Sequence, residues 1–306
     1  MQRIILDTDP GIDDALALFL ALASPEIQLE AITTVSGNVH VDLTTRNALA
    51  LLELAGRTDI PVARGCEGPL LVKYVDAADV HGSNGLGGIV LPHPKTQPVV
   101  QHAVELIIEK VMDAPSEITL VAIGPLTNIA LAFRREPRIA QSVREVVIMG
   151  GALRVPGNVT PIAEFNIFCD PHAAHIVFHA GWPIRLVSLD TTTVTLLQRK
   201  QVEMLARRES KITDFIKQAT AYYFDIFGAA NDVTAFQMHD PLCLAAAFQP
   251  ELLTWQPVYV DVELAGTLTL GQTVGYFKHP PALPNVLAAV GVDAERFIHL
   301  FLDRMS

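Results

Sequence analysis

The sequence of 306 residues has little of what marks a nucleic-acid-binding or a membrane protein. Lys and Arg total 22 against 33 Asp and Glu, which gives a net charge of -11, and no basic cluster occurs. This balance argues against nucleic acid or another polyanion as a partner. The longest uninterrupted apolar run, Ala15 to Ala23, is far shorter than the roughly 20 residues that span a bilayer. We therefore expect no membrane association.

Cysteine is also scarce. Cys66, Cys169 and Cys243 are odd in number, widely spaced and outside any Cys-x-x-Cys pair, so we expect buried free thiols in a reducing compartment. Arg3 is followed only by Ile4, Ile5 and Leu6 before the chain becomes acidic, which does not resemble a signal peptide. The expected location is the cytoplasm.

Short β-rich runs alternate with longer helical patterns along the chain, without repeats or an obvious linker. Continuous apolar strands between helices favour an α/β fold with a mostly parallel, Rossmann-like central sheet that helices flank on both faces. We expect one domain over residues 1–306, with a late hairpin made by Val258–Glu263 and Thr267–Tyr276. The predicted strands are Arg3–Leu6, Leu29–Val35, Ile118–Ile123, Val143–Met149 and Ile184–Leu189, and the first two helices are Asp13–Ser24 and Val41–Ala55.

Four turns directly follow predicted strands. The first is acidic, and the others are Gly37-Asn38, Gly124-Pro125 and Gly150-Gly151. Ligands of such sheets bind outside the carboxyl ends of the strands. We therefore expect the site at the C-terminal ends of the strands, where these turns converge.

The acidic turn is DTDPGIDD, residues 7 to 14, in which four of eight residues are aspartates. A single Asp before a helix is usually a cap, but several carboxylates at one bend after a buried strand repel one another. A divalent cation offsets this repulsion. Oxygen ligands suit Ca²⁺ or Mg²⁺, and a bidentate carboxylate with a backbone carbonyl favours Ca²⁺.

Several classes of protein use an acidic strand end. A receiver domain is much shorter than this chain. A metal-dependent phosphatase of haloacid-dehalogenase type needs a hydroxyl residue shortly after Asp-x-Asp, where this chain has Pro10-Gly11. A third class of protein uses such a strand end for the metal-assisted attack of water on a sugar. A non-catalytic nucleoside- or ribose-binding protein is a further alternative.

Two later segments carry groups that suit a ribose. Glu164, Phe165 and Asn166 follow Gly157-Asn158; Glu and Asn can bond vicinal hydroxyls, and Phe165 offers an apolar wall. His239 and Asp240 open a predicted apolar helix, where Asp240 alone would be read as an N-cap and His239 alone as a packed histidine.

With these motifs the chain resembles the nucleoside hydrolase family, most closely its broad-specificity ribonucleoside hydrolase branch. The resemblance runs in the family's order over most of the chain, and the first motif and AEFN are the most specific. The matching stretches are DTDPGIDDA (7–15), TTVSGN (33–38), TTRNAL (44–49), VHG (80–82), GPLTNIA (124–130), VIMGG (147–151), GNVTPIAEFNI (157–167) and MHD (238–240).

The resemblance implies the nucleoside hydrolase fold, Ca²⁺-dependent hydrolysis of purine and pyrimidine ribonucleosides in nucleoside salvage, and a homodimer or homotetramer. Asp9 would be a Ca²⁺ ligand and the general base for the attacking water, and His239 is our hypothesis for the acid that protonates the leaving base. The other implied Ca²⁺ ligands are Asp14, the carbonyl of Ile123, and Asp240. The implied substrate contacts are Asp13, Asn38, Asn158, Glu164 and Asn166 at the ribose, Met149 and Phe165 on its apolar side, and His81 with His239 beside the base.

Three further segments each allow two interpretations. Thr220–Phe236 is predicted to be a loop over the base, in which Phe224 or Phe227 stacks on the base or packs in the core. Gly82–Gly88 is predicted to be a mobile lid beside His81 rather than a phosphate loop. His172, His175 and His179 share one face of a predicted helix, where a solvated face is favoured over a zinc site.

Overall fold

A nine-stranded sheet runs through the protein. The computed structural model describes residues 1–231 and 235–305. The strands of these residues are β1 Gln2–Thr8, β2 Ile27–Thr34, β3 Val62–Arg64, β4 Ile118–Ala122, β5 Glu145–Met149, β6 Ile184–Val187, β7 Leu196–Gln198, β8 Ala235–Gln237, β9 Leu253–Val262, β10 Thr273–Tyr276 and β11 Val286–Val292. Their order in the large sheet is β10-β9-β11-β6-β5-β4-β1-β2-β3, and a separate antiparallel pair joins β7 to β8.

Helices cover both faces of the large sheet. Those of the described residues are α1 Ile12–Ala23, α2 Val41–Leu54, α3 Ala78–His81, α4 Ala103–Asp113, α5 Thr127–Arg135, α6 Ile139–Ser142, α7 Phe165–Cys169, α8 Pro171–Phe178, α9 Leu189–Thr192, α10 Arg199–Ala206, α11 Lys211–Asn231, α12 His239–Phe248 and α13 Ala294–Arg304. Among the described residues, no helix is both long and apolar enough to cross a membrane.

The central strands are buried on both faces, which explains their continuous apolar sequences. Every residue of β4 and β5 is buried. Val121 and Val147 belong to one apolar cluster, whereas Leu120 and Val146 belong to the cluster on the opposite face. The predicted α/β fold with a mostly parallel sheet is confirmed.

The expected late hairpin is also present, with β9 antiparallel to β10. Its second strand is shorter than predicted, because it begins at Thr273 rather than Thr267. Helix α1 begins at Ile12, one residue before the predicted start. The one-residue difference at α1 is usual at element ends.

The prediction of a loop over Thr220–Phe236 is mostly wrong, because α11 continues to Asn231. Aromatic residues at helical spacing pack one face of this helix into the core, and Phe224 is only 2% exposed. The interpretation of Phe224 as a core residue is therefore correct. The side chain of Phe227 and residues 232–234 lie outside what the structure describes.

Candidate active site

The acidic turn joins the end of β1 to the start of α1, and Asp14 is bound there from several sides. Its Oδ1 accepts hydrogen bonds from Thr8 Oγ1 at 2.5 Å and from the Asp9 N–H at 3.2 Å. Its Oδ2 accepts from the Gly11 N–H and from Asn38 Nδ2, both at 2.9 Å. Donors to both oxygens fix the orientation of this carboxylate.

Asp9 is as buried as Asp14, with only 1% of its surface exposed. Its Oδ2 accepts a 2.6 Å hydrogen bond from the Asn38 N–H, whereas its buried Oδ1 has no hydrogen-bond partner among the described residues. Two glycines make room for the carboxylate: a Cβ on Gly37 would lie 2.1 Å from Oδ2, and one on Gly124 would lie 2.4 Å from Oδ1. The turns after β2 and β4 therefore close around Asp9.

Asp240, at the start of α12, comes from the far end of the chain to the same place. One carboxylate oxygen from each of Asp13, Asp14 and Asp240 lies within 4.8 Å of the others, and all three residues are buried. Burial, followed by the charge of Asp14, raises the pKa of Asp13 to about 7. Burial and the neighbouring aspartates also hold the pKa values of Asp9 and Asp240 well above their usual range. The cluster lacks a compensating positive charge from the described side chains, which is the condition that a cation would relieve.

Asn166 links the ends of β4 and β5. Its Nδ2 donates to the carbonyl oxygens of Ile123 at 3.0 Å and Met149 at 3.2 Å. Its backbone N–H donates to Glu164 Oε1 at 3.0 Å. The Ile123 carbonyl, the main-chain ligand that the resemblance implies, is thus positioned by a side chain of the AEFN motif.

Glu164 caps α7 and is itself held in place. Its Oε2 accepts hydrogen bonds from the N–H groups of Gly151 at 2.9 Å and Ile167 at 3.1 Å. Asn158 Oδ1 accepts from the Phe165 N–H at 2.9 Å. Burial raises the pKa of Glu164 above its ordinary value, and the backbone donors oppose that rise.

Two histidines face the cavity above the carboxylates. The Ile12 N–H donates to His81 Nδ1 at 3.1 Å, so the hydrogen of the neutral ring is on Nε2. His239 Nδ1 lies 2.7 Å from Thr192 Oγ1, and its Nε2 lies 3.1 Å from Gln237 Oε1. Burial lowers the pKa of each histidine to about 4, so both rings are uncharged at neutral pH.

One cavity of about 410 Å³ collects these groups. It is within the range of about 300–1,000 Å³ that small-molecule sites occupy. Asp9 and Asp14 lie buried beside it and are not part of its lining. The predicted residues that line it are Asp13, Asn38, His81, Ile123, Met149, Asn158, Glu164, Phe165, Asn166, His239 and Asp240.

The cavity also contains residues that the sequence did not single out individually, although Tyr223 and Phe236 belong to the segment 220–236 that the sequence predicts to cover the base. Tyr223, Phe236 and Gln237 line it on the side of His239, and Asp76 and Asp79 line it near His81. Phe236 and Gln237 directly precede the MHD motif, which is the signal that could have found them. Tyr223 has no such signal, because only the orientation of α11 distinguishes it from its neighbour Phe224.

The glycine-rich loop after His81 is held by side chains in this conformation. Asn84 Oδ1 accepts from the N–H groups of Leu86 and Gly88, both at 3.1 Å. Asn47 Nδ2 donates to the carbonyls of Pro10 at 3.1 Å and Asn84 at 2.9 Å. Asn47 thereby joins the loop to the acidic turn, and movement of the loop as a lid stays a prediction.

A carboxylate-rich cavity at the carboxyl edge of a parallel sheet is typical of α/β enzymes that act on small polar substrates. The family model of the inosine-uridine preferring nucleoside hydrolases matches residues 4–299. The chain belongs to this family. It is a ribonucleoside hydrolase, and the comparisons do not favour the phosphatase or the non-catalytic alternative.

Three relatives show how far the similarity extends. The inosine-uridine preferring nucleoside hydrolase of Crithidia fasciculata is 43% identical over 308 residues, which cover 100% of this chain and 98% of that protein. The pyrimidine-specific ribonucleoside hydrolase RihA of Enterobacter sp. (strain 638) is 40% identical over 99% of this chain and 97% of its own. The solved purine-preferring ribonucleoside hydrolase from Gardnerella vaginalis superposes with a TM-score of 0.94 at 35% identity, covering 99% of this chain and 98% of that one.

Proposed function

We propose that the enzyme hydrolyses the N-glycosidic bond of both purine and pyrimidine ribonucleosides, with Ca²⁺ as its cofactor, in nucleoside salvage. The observation that carries this proposal is the cluster of the buried Asp13, Asp14 and Asp240 carboxylates beside a cavity that Asp13, Asp240, Glu164 and Asn166 line. The first group suits a cation, and the second suits the vicinal hydroxyls of a ribose.

The chemistry of the donors fits Ca²⁺. All the available ligands are oxygens, the carboxylates are buried without a compensating cationic side chain among the described residues, and Asp9 Oδ1 lacks a partner there. The ligands that the resemblance implies, Asp9, Asp14, Asp240 and the Ile123 carbonyl, would hold the ion, and two of them, Asp14 and Asp240, belong to the carboxylate cluster. When bound, it supplies positive charge and Lewis acidity to the site.

Asp9 is the proposed general base. Its unpartnered Oδ1 can accept a proton from the attacking water, while Oδ2 stays bound to the Asn38 N–H at 2.6 Å. The fixed orientation keeps the accepting oxygen in place during the proton transfer. The glycines at positions 37 and 124 leave the space in which this carboxylate fits.

Glu164 and Asn166 are proposed to position the ribose together with Asp13 and Asn158. Both lie in the AEFN segment, and the Glu164 carboxylate holds this segment against the end of β5 by accepting hydrogen bonds from the Gly151 and Ile167 N–H groups. The carboxylates around the sugar would also stabilise the positive charge of an oxocarbenium-like transition state. Met149 and Phe165 would form the apolar side of the ribose pocket.

The nucleobase would lie between the two histidines. His81 Nε2–H is a fixed donor because its Nδ1 accepts from Ile12, and ring nitrogens or carbonyl oxygens of either base class can accept from it. Tyr223, Phe236 and Gln237 add aromatic and amide surface to this side of the cavity. Relatives named for inosine and uridine, for pyrimidines and for purines support a proposal that includes both base classes.

His239 is proposed to deliver a proton to the leaving base. Burial lowers the pKa of His239 to about 4, so the ring is neutral before the substrate binds. The proton would therefore have to be acquired with the substrate in place, where developing negative charge on the base favours the imidazolium form.

We also propose a cytoplasmic homodimer or homotetramer. The three cysteines are all buried and unpaired, which supports a reducing compartment. Light scattering of the purified protein would give the oligomeric mass. A monomer would contradict this part of the proposal.

Release of ribose from inosine and from uridine tests the function directly. The assay would compare the purified protein as isolated, after removal of metal with EGTA, and after Ca²⁺ is added back. We expect release from both nucleosides, loss on stripping and recovery with Ca²⁺. Unchanged release after stripping would contradict the Ca²⁺ requirement. Release from only one nucleoside would contradict the proposal that both purine and pyrimidine ribonucleosides are substrates.

A further inference from the structure

A second cluster of metal-binding side chains lies where α8 packs against β9. His175 and His179 are four residues apart, at the end of α8, so their side chains share one face. Their ring centroids are 4.4 Å apart. A pair of histidines at this spacing is a known arrangement for divalent transition metals.

Asp261 of β9 faces the two rings. Its Oδ1 lies 3.0 Å from His175 Nδ1 and 3.9 Å from His179 Nε2. The Val262 N–H donates to the same oxygen at 2.8 Å and orients the carboxylate. One ligand atom from each of the three residues lies within 4.8 Å of the other two. Each side chain is partly exposed, so an ion can reach the cluster from solvent.

The tautomer of His179 favours metal binding. Its Nδ1 lies 2.8 Å from the carbonyl oxygen of His175, and a carbonyl can only accept, so the ring hydrogen is on Nδ1. The lone pair is then on Nε2, the atom that faces Asp261 and that lies 3.3 Å from the Tyr259 hydroxyl. Histidines that bind metals usually donate their other ring N–H to a carbonyl or carboxylate in this way.

We propose that His175, His179 and Asp261 form a binding site for a divalent transition-metal ion of the zinc class. Bonds of about 2.0–2.1 Å in a tetrahedral site place ligand atoms about 3.3 Å apart. The two observed distances to Asp261 are 3.0 and 3.9 Å, and the two histidine ligand atoms lie within 4.8 Å of each other, so side-chain shifts would bring the three ligands to this value. The ion would replace the proton between His175 and Asp261, and water or the Tyr259 hydroxyl would complete its coordination.

This site differs in chemistry from the acidic cluster. Imidazole nitrogens suit zinc, copper and nickel, whereas carboxylate and carbonyl oxygens suit calcium. The two sites are therefore expected to take different ions. The proposal does not depend on the reaction at the acidic cluster, since none of its three ligands lines that cavity.

A bound ion would link helix α8 to strand β9. Helix α8 follows directly after α7, which carries Phe165 and Asn166, and β9 belongs to the antiparallel edge of the large sheet. Because binding to the folded state alone stabilises it, the ion should raise the melting temperature.

His172 provides the matched control. It is on the same helix and was expected from the sequence to share the face of the other two histidines, yet it is not part of the cluster. The sequence suggested a group of three histidines. The observed cluster consists instead of two histidines and Asp261, which follows His179 by 82 residues.

Calorimetric titration of untagged, full-length protein with Zn²⁺, in excess Ca²⁺ to occupy the acidic cluster, tests the proposal. We expect one Zn²⁺ per chain in the wild type and in His172→Ala, and binding at least about tenfold weaker in His179→Ala and Asp261→Asn. Melting curves with and without Zn²⁺ check that each variant is folded, and Zn²⁺ should raise the melting temperature only of the wild type and His172→Ala.

Two results would overturn the proposal. One is the absence of Zn²⁺ binding by the wild type. The other is an affinity that is the same in His179→Ala and Asp261→Asn as in the wild type, which would place the ion elsewhere.

Discussion

The backbone N–H of Asn38 donates a 2.6 Å hydrogen bond to Oδ2 of Asp9, and the side chain of the same asparagine reaches the next carboxylate. Its Nδ2 lies 2.9 Å from Asp14 Oδ2 and 3.2 Å from the Asp9 carbonyl. Asn38, in the turn that follows β2, therefore orients two of the aspartates in the turn that follows β1. This arrangement gives Asn38 a positioning role, and its contact with ribose stays a prediction.

Asn38→Ala should weaken Ca²⁺ binding about 10- to 100-fold, the usual effect of losing a side chain that orients metal ligands. The backbone bond to Asp9 would remain, so the loss is expected in Asp14 orientation rather than in the fold. The measurement is the Ca²⁺ concentration that restores half of the activity to stripped enzyme. An unchanged value would show that the side-chain bond to Asp14 does not position a ligand.

Gly124→Ala should reduce kcat on the order of 100-fold, because a displacement of about 1 Å in a catalytic group can have that effect. The added Cβ would lie 2.4 Å from Asp9 Oδ1 and 3.1 Å from Val35 Cγ1, so the carboxylate must move. Gly68→Ala is the control, since a Cβ there meets no atom within 4 Å. Equal kcat values for the two variants would contradict the proposed role of Asp9 as a tightly fitted base.

Much of this site could be predicted because its residues follow strands directly. A parallel sheet brings the ends of β1, β2, β4 and β5 to one edge, whatever the length of chain between them. Asp9, Asn38 and Ile123 needed only correct strand assignments to be placed together. Asp240 and His239 were placed by resemblance, since no local pattern links the start of α12 to the acidic turn.

Other features depend on packing that a sequence does not display. Tyr223 and Phe224 are neighbours on α11, yet Tyr223 lines the cavity and Phe224 packs in the core beside Arg199, whose guanidinium carbon is 4.5 Å from its ring centre. Only the rotation of the helix decides between them. Asp261 could not be paired with His179 for a similar reason, because the pairing requires the position of the antiparallel edge.

Uridine should be a far better substrate than 2′-deoxyuridine. Removing the 2′-hydroxyl would remove the hydrogen bonds proposed between the sugar and the buried Glu164 and Asn166, and a hydrogen bond to a charged group contributes about 1.5–3 kcal/mol. We expect kcat/KM to fall at least tenfold, measured by release of uracil from each nucleoside. Comparable turnover would contradict the proposed contacts with the ribose hydroxyls.

The protein without Ca²⁺ should lose stability as the pH rises through about 7. Burial and neighbouring charge raise the pKa of Asp13 to about 7 in the folded state, from about 3.9 when unfolded. The folded state then binds more protons than the unfolded state between these values, so its stability falls as the pH rises through the folded pKa. Bound Ca²⁺ would remove this effect by replacing the protons.

The measurement is the melting temperature with EGTA and with Ca²⁺, at pH 6 and at pH 8. The difference between the two conditions should be larger at pH 8. Comparing the two conditions at each pH cancels the contribution of groups outside the cluster to the melting temperature. Asp7 is such a group, because burial also raises its pKa to about 7. A difference that is the same at both pH values would show that protons and Ca²⁺ do not compete for these carboxylates.

His239→Ala should distinguish protonation of the leaving base from other roles of this residue. The His239 ring is fixed by Thr192 Oγ1 at 2.7 Å and Gln237 Oε1 at 3.1 Å, within the cavity and beside the proposed metal ligand Asp240. If the imidazole protonates the base, its removal should lower kcat for inosine about 10²- to 10⁴-fold. The rate for p-nitrophenyl riboside should change little, because nitrophenolate leaves without a proton.

The two substrates share the ribose, so a general disturbance of Asp240 or of the sugar pocket would slow both. The variant therefore needs no folding control beyond its own activity on the nitrophenyl substrate. His81→Ala provides a comparison: its Nδ1 is occupied by the Ile12 N–H at 3.1 Å, so we assign it to binding and expect a higher KM for inosine. An equal loss of rate on both substrates in His239→Ala would contradict the acid role and leave His239 as a residue that positions the site.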